Sequence, residues 1–363
     1  SKEHFEEAMV AREERQIDAA ATGFWKALEA DPLNYHAHVH YQESALAAGD
    51  PLSEIKADYD KFIEDYPAQV CFKLHRLRLE GTEPRLEALA KFVKSHAKFA
   101  DVHLEVGRAH LARGEAKPAV AALTKALALK TGTRGDILVM LAEAEHAAGK
   151  TDDAMKRLDA AVKAKPAAFE ARLVLARLQL LSSMAEPSAA NADVVIKQRP
   201  SYLAAFLIKS EALVQLGKED EARDALSSAY RINKEINEVV LAYADLWARM
   251  ETDASYQQAT KLYGEVLERD EESYRALYGL GWVLERLEKY EEAEEKYREV
   301  AGIKPNSVAA INSVGYVLFK QGRVSEAQVQ FKRALDLDRT FVSAQTNLGA
   351  TLDAPAKYSD AIK

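Results

Sequence analysis

The stretch NYHAHVHY, residues 34–41, sets His36, His38 and His40 at alternate positions. On a helix, imidazoles four residues apart stand one above the other. His36 and His40, with Glu43 one turn further on, therefore form an H-x3-H-x2-E set. Such a set can hold a divalent cation if a neighbouring element adds a ligand. Hydrolysis by that cation would also need an open coordination position and a pocket that excludes water. All nine histidines precede residue 147, which fits either a functional N-terminal half or drift among filler residues. No P-loop, G-x-S-x-G or H-E-x-x-H motif occurs. No catalytic, cofactor-binding or metal residue is assigned, and His36, His40 and Glu43 stay open until their directions are known.

Those directions depend on the elements that carry them. A chain of 363 residues would ordinarily make two or three globular domains. It is 48% hydrophobic with 16 Gly and 10 Pro, enough apolar material for a core and no bias towards disorder. The net charge of −8 argues against nucleic acid as a partner, since phosphate binding needs a clustered basic surface. One cysteine, Cys71, excludes an internal disulfide framework and a cysteine zinc cluster. No run approaches the roughly 18 apolar residues of a spanning helix, so no membrane insertion is expected. The chain starts Ser-Lys-Glu-His, without an apolar signal segment. Cytoplasmic and periplasmic placements both fit, and the alanine-rich composition suggests a bacterial source.

A period organises the chain. The small residues Gly107, Ala142, Ala176, Ser210, Ala244, Gly281, Gly315 and Gly349 follow one another at intervals of 35, 34, 34, 34, 37, 34 and 34. A second column, Ala119, Ala154, Ser188, Ala222, Ala259, Ala293, Ala327 and Ala361, repeats at 35, 34, 34, 37, 34, 34 and 34. Both take their long step across ARMETDASYQQA, so one three-residue insertion explains both. Within each unit apolar residues recur at helical spacing in two stretches parted by a glycine or a charged turn. In one unit the first helix carries Leu277, Leu280, Gly281 and Leu284, and the second Tyr290, Ala293, Tyr297 and Val300. Pro305 then stops the second helix, as Pro32, Pro67, Pro166 and Pro200 do elsewhere.

These residues resemble the tetratricopeptide repeat family, whose pattern runs W-x2-L-G-x2-Y, A-x3-F and P. Leu280-Gly281, Ala293-x3-Tyr297 and Pro305 carry the likeness, as do Val314-Gly315, Ala327-x3-Phe331, Val106-Gly107, Ala119-x3-Leu123, Ala20-x3-Phe24 and Pro32. The resemblance implies an all-α, right-handed α-solenoid of stacked antiparallel helix pairs, one superhelix over 1–363. Its units are 1–34, 35–67, 68–99, 100–134, 135–168, 169–202, 203–236, 237–273, 274–307, 308–341 and a partial 342–363. The unit 68–99 loses the landmark residues and keeps only the helical period. In the last unit Ala361 is expected to open a second helix, which reads as a fragment of a longer protein or as a tail lost to disorder.

The family's register implies directions. The second, fifth, sixth, ninth and twelfth positions of each first helix face the concave groove; the fourth, seventh, eighth and eleventh pack between helices. His4, His38 and His103 take the fourth position and His110 the eleventh, so they are expected to fill space. His36 and His40 face the groove. In the middle units the groove positions are Asp136, Glu143, Glu170, Arg177, Glu211, Glu238 and Asp245, interleaved with Val139, Leu173, Leu207, Ile208 and Leu241. That is an acidic channel suited to a peptide or helix carrying Lys or Arg. Further on, Arg275, Tyr278, Trp282, Arg286, Tyr316, Phe319 and Lys320 gather interface-type residues, and the strongest binding site is expected there. The alternative for Trp282 and Tyr316 is packing against the next unit. The Lys/Asn pair of the family's carboxylate clamp is missing, and an asparagine ladder at the sixth position has only Asn347. The expected function is a non-enzymatic scaffold or adaptor that holds a protein or peptide in its groove, without cofactor. A regulatory or targeting arm of a larger enzyme is the alternative, and an uncapped end allows a homo-oligomer.

Overall fold

The computed structural model describes residues 2–13, 16–129 and 134–361. Among them every regular element is an α-helix and none is a strand. The chain divides into two compact units, Ser1–Lys218 and Glu219–Lys363. The first unit pairs α1 (Lys2–Glu13) with α2 (Ile17–Ala30) and α3 (Tyr35–Ala48) with α4 (Leu52–Asp65). It continues with α5 (Val70–Arg78) and α6 (Thr82–Ser95), α7 (Ala100–Ala112) and α8 (Ala116–Ala128), then α9 (Arg134–Ala147) and α10 (Thr151–Ala164). It ends with α11 (Phe169–Leu181), α12 (Ala185–Gln198) and α13 (Leu203–Gln215). The second unit opens with α14 (Glu219–Ile232), α15 (Asn237–Arg249) and α16 (Asp253–Leu267). After these come α17 (Tyr274–Arg286), α18 (Tyr290–Ile303), α19 (Val308–Lys320), α20 (Val324–Leu337) and α21 (Val342–Ala361).

Within each unit a helix packs chiefly on its chain neighbours, which is the all-α solenoid of antiparallel pairs that the period predicts. The weakly marked stretch 68–99 is also a hairpin, although α5 has 9 residues where α7 has 13. The first column is buried from Gly107 to Gly315 and the second from Ala119 to Ala327, while Gly349 is exposed. A Cβ on Gly315 would stand 2.6 Å from Cε1 of Phe331, so the glycine is where α19 admits the ring of α20. Gly107 admits Leu123 in the same way. Where the column holds Ala176, the second-column Ser188 donates to its carbonyl at 2.8 Å.

A third column emerges that the two small-residue columns do not contain. The described residues at positive φ are Gly49, Gly114, Gly149, Ser183, Gly217, Glu251, Glu288 and Gly322. From Gly114 onward each lies seven positions after the first column, at the residue that ends the first helix of its hairpin. The turn closes with the N–H of the following residue bonded five positions back, as from Lys289 to the Leu284 carbonyl at 2.9 Å, except after Glu251, where the Thr252 N–H goes to the Ser255 hydroxyl at 3.0 Å. Glycine takes this left-handed state without steric cost; a residue with a Cβ does not. Glu288, at φ 59°, is therefore strained, and Glu288→Gly is expected to stabilise the second unit by about 1 kcal/mol, while Gly322→Ala loses a similar amount. Urea unfolding followed by circular dichroism measures both.

In the last repeat that slot is Ala356, and the backbone does not turn there. The helix α21 runs unbroken from Val342 to Ala361, so Ala361 ends a helix rather than opening one. The slot lacks the glycine that takes the left-handed turn without steric cost, and here, unlike at Ser183, Glu251 and Glu288, the helix continues instead.

Candidate functional site

The histidines separate by position. His38 is buried; its Nε2 donates to the Pro32 carbonyl at 2.8 Å, leaving Nδ1 to accept from the Tyr59 hydroxyl at 3.1 Å. His103, in the same slot of α7, reaches six residues back to the Ala97 carbonyl at 2.9 Å. The packing slot thus also ties down the loop from the preceding hairpin. His4 departs from the expectation: no described hairpin precedes α1, and its ring is exposed beside Glu7 at 3.7 Å. His110 is half-buried and pairs with Glu115 at 2.7 Å, across the α7–α8 turn.

The H-x3-H-x2-E set does not converge. Arg12 lies 2.7 Å from Nδ1 of His40 and donates to Glu43 at 2.9 Å, so a guanidinium occupies the place where a divalent cation would bridge them. His36 turns instead towards Asp136 of α9, Nδ1 to Oδ2 at 3.7 Å. Among the described residues no group of three or more His, Cys, Asp and Glu is placed to hold a metal ion.

Several predicted groove charges in the first unit are met within the chain. Arg177 donates to Glu143, one period away, at 2.8 Å. Burial raises the Glu170 carboxyl above the usual range, with the nearby Asp136 adding to the effect. Glu211 is exposed. A larger group was not visible in the sequence. Glu105 is 1% exposed and accepts from Arg85 at 2.6 Å and from the Tyr35 hydroxyl at 3.1 Å, with Arg108 at 3.4 Å and Arg78 at 3.7 Å. Burial alone would raise its carboxyl, but Arg78, Arg108 and Arg85 hold it below the usual carboxylate range. This group joins α3, α5, α6 and α7 and is structural.

In the second unit, α17, α19 and α21 enclose an open cleft of about 400 Å³. Trp282 and Tyr316, the same slot of consecutive hairpins, both line it. Trp282 meets the edge of Tyr256, ring centroids 6.1 Å apart, and Arg286 stands over its ring at 5.8 Å. Glu285 also lines the cleft and accepts from the Tyr297 hydroxyl at 3.0 Å. Asn347 of α21 donates to Asn312 of α19 at 3.1 Å, leaving one amide donor group and one carbonyl oxygen of the pair for a ligand. Ser313, Ser343 and Thr346 add further polar groups to the lining.

The other predicted contacts have different surroundings. Tyr278 packs on Tyr297, centroids 5.3 Å apart, and its hydroxyl meets Ser313 at 3.3 Å. Phe319 is half-buried against the same core, and Leu241, read as a groove residue, is 7% exposed and part of the core around Tyr263. Asp245 accepts from Tyr263 at 2.6 Å and pairs with Arg275, so neither Asp245 nor Arg275 stands free. Glu238 is exposed, and Lys320 lies over the rings of Tyr290 and Tyr316 at 5.8 and 5.9 Å. Sequence reasoning missed Glu285 and Asn312, although both occupy groove positions, the twelfth and the fifth; Asn347 drew attention only as a ladder with no second rung.

No described helix is long and apolar enough to cross a membrane. Two tetratricopeptide repeat models match the chain, at residues 135–178 and 254–308. No curated protein matches. Among solved structures, a tetratricopeptide repeat protein from Parabacteroides merdae is 14% identical with a TM-score of 0.55, covering 70% of this chain and 98% of its own. Yeast Tom70 is 13% identical with a TM-score of 0.56, covering 97% and 88%. The hetero-tetramer of Cut9 and Hcn1 from the APC/C is matched at 14% identity and a TM-score of 0.55, over 96% and 75%. At these identities the likeness shows the fold.

Proposed function

Because the chain is a tetratricopeptide repeat protein, a fold that generally serves protein interaction, we propose that it is a non-catalytic scaffold or adaptor whose second unit holds a partner peptide in the cleft between α17, α19 and α21. The observation that carries this reading is the composition of that cleft. Two aromatic rings from consecutive hairpins stand beside an asparagine pair with a donor and an acceptor unspent. Rings supply contact area at little cost in side-chain freedom, and amides match the alternating donors and acceptors of a peptide backbone. The helices hold these groups in place before binding, so the ordering cost falls on the ligand.

Trp282→Ala with Tyr316→Ala is expected to weaken partner capture by about 2 kcal/mol, roughly thirtyfold, with the circular dichroism spectrum unchanged. The check is affinity capture from a cell extract with each bait and mass-spectrometric identification of what is retained. Retention of the same proteins by the double variant would remove the cleft from the binding surface.

A further inference from the structure

Among the described residues Glu285 is the one charged residue lining the cleft. Its carboxylate is half-buried and takes a single hydrogen bond, from Tyr297. Arg286 and Lys320, the described cations that act on it, are engaged elsewhere: Arg286 reaches the Tyr256 hydroxyl at 3.4 Å and the Trp282 ring, and Lys320 lies over Tyr316 and Tyr290. Burial raises the Glu285 carboxyl, while Tyr297, Arg286 and Lys320 pull it the other way. Among the described residues this carboxylate has no ion-pair partner, and it lines the cleft with the rings of Trp282 and Tyr316.

A partly desolvated carboxylate and aromatic faces both attract a cation, and neither favours an anion. A neutral occupant would bury Glu285 further and supply no counter-charge. Resting on the reading of this cleft as a peptide site, we propose that it seats a basic side chain of the bound peptide, an arginine or lysine, with its charge against Glu285 and its stem beside Trp282 and Tyr316. The asparagine pair then takes the peptide backbone on either side of that residue. The second unit selects its partner by a positive residue rather than by apolar surface alone.

The test is calorimetric titration of the whole chain with acetylated, amidated Gly-Gly-Arg-Gly-Gly and with its citrulline counterpart, which keeps the shape and removes the charge. The arginine peptide should bind about tenfold more tightly, about 1.4 kcal/mol. Glu285→Gln, which still accepts from Tyr297, should abolish that preference, and the double aromatic variant should weaken both peptides. Equal affinity for the two peptides overturns the cation while leaving the peptide reading intact if the aromatic variant loses both. A preference that survives Glu285→Gln overturns the assignment to this carboxylate. Absence of saturable binding by the arginine peptide also overturns the proposal, and the capture comparison above then judges the peptide reading by itself.

Discussion

Glu105→Ala is expected to destabilise the first unit by about 3–5 kcal/mol, among the largest losses available from one substitution in this chain. The reason is what the change leaves behind. Arg78, Arg85 and Arg108 have side chains only 8%, 12% and 23% exposed, and Glu105 is the anion within 4 Å of all three. Nη1 of Arg78, Nε of Arg85 and Nε of Arg108 already lack hydrogen-bond partners. Without the carboxylate, three guanidiniums would face one another in a medium that screens them poorly, and Tyr35 would lose the acceptor of its hydroxyl. Glu105→Gln keeps the shape and loses the charge, so it should fall between wild type and alanine. Urea unfolding at neutral pH measures both. A loss below about 1 kcal/mol for alanine would mean that water or rearrangement replaces the carboxylate.

Acid should unfold the first unit early. His38 and His75 are each 1% exposed and stack with ring centroids 4.5 Å apart. Burial lowers the His38 imidazole to about 4, and burial together with His38 lowers His75 well below its ordinary value. A base whose folded pKa is depressed contributes full stability above its unfolded value near 6.5 and loses it as pH falls towards the folded value. Stability should therefore decline from about pH 6.5 down to about pH 4, with His38 alone accounting for about 3 kcal/mol across that window. Protonation of His38 would fall on Nδ1, which accepts from Tyr59, since Nε2 already donates to Pro32. Nδ1 of His75 has no partner, so His75→Phe should be tolerated at pH 7 and should flatten the acid slope. The readout is the urea midpoint against pH, and an unchanged slope in His75→Phe would exclude this ring from the effect.

The 34-residue period made the helical hairpins legible, down to the small-residue columns that admit Leu123 and Phe331. Two fourth-position histidines, His38 and His103, were legible as packing residues because the slot is local to a hairpin, although the carbonyl each one ties lies outside its own helix; His4 was not. The groove was legible only as a set of directions. Register says that Glu143 and Arg177 face the same way; it does not say that they meet. The Glu105 group was out of reach for a similar reason, since Tyr35 and Glu105 stand 70 residues apart and only the stacking of α3, α5 and α7 joins them. The left-handed slot was half visible: five glycines mark it, while Ser183, Glu251 and Glu288 hide it.

The separations along the chain set an order of assembly. In the second unit the named side-chain contacts reach no further than about one repeat, as from Tyr230 to Glu265 and from Asn312 to Asn347. Each new pair of helices can settle on its predecessor while the ribosome is still adding residues, because about one further repeat is enough to complete its named contacts. The first unit must wait longer. Tyr35 and His36 find Glu105 and Asp136 only after 70 and 100 further residues have been made, so the start of α3 stays unsatisfied through that span of synthesis.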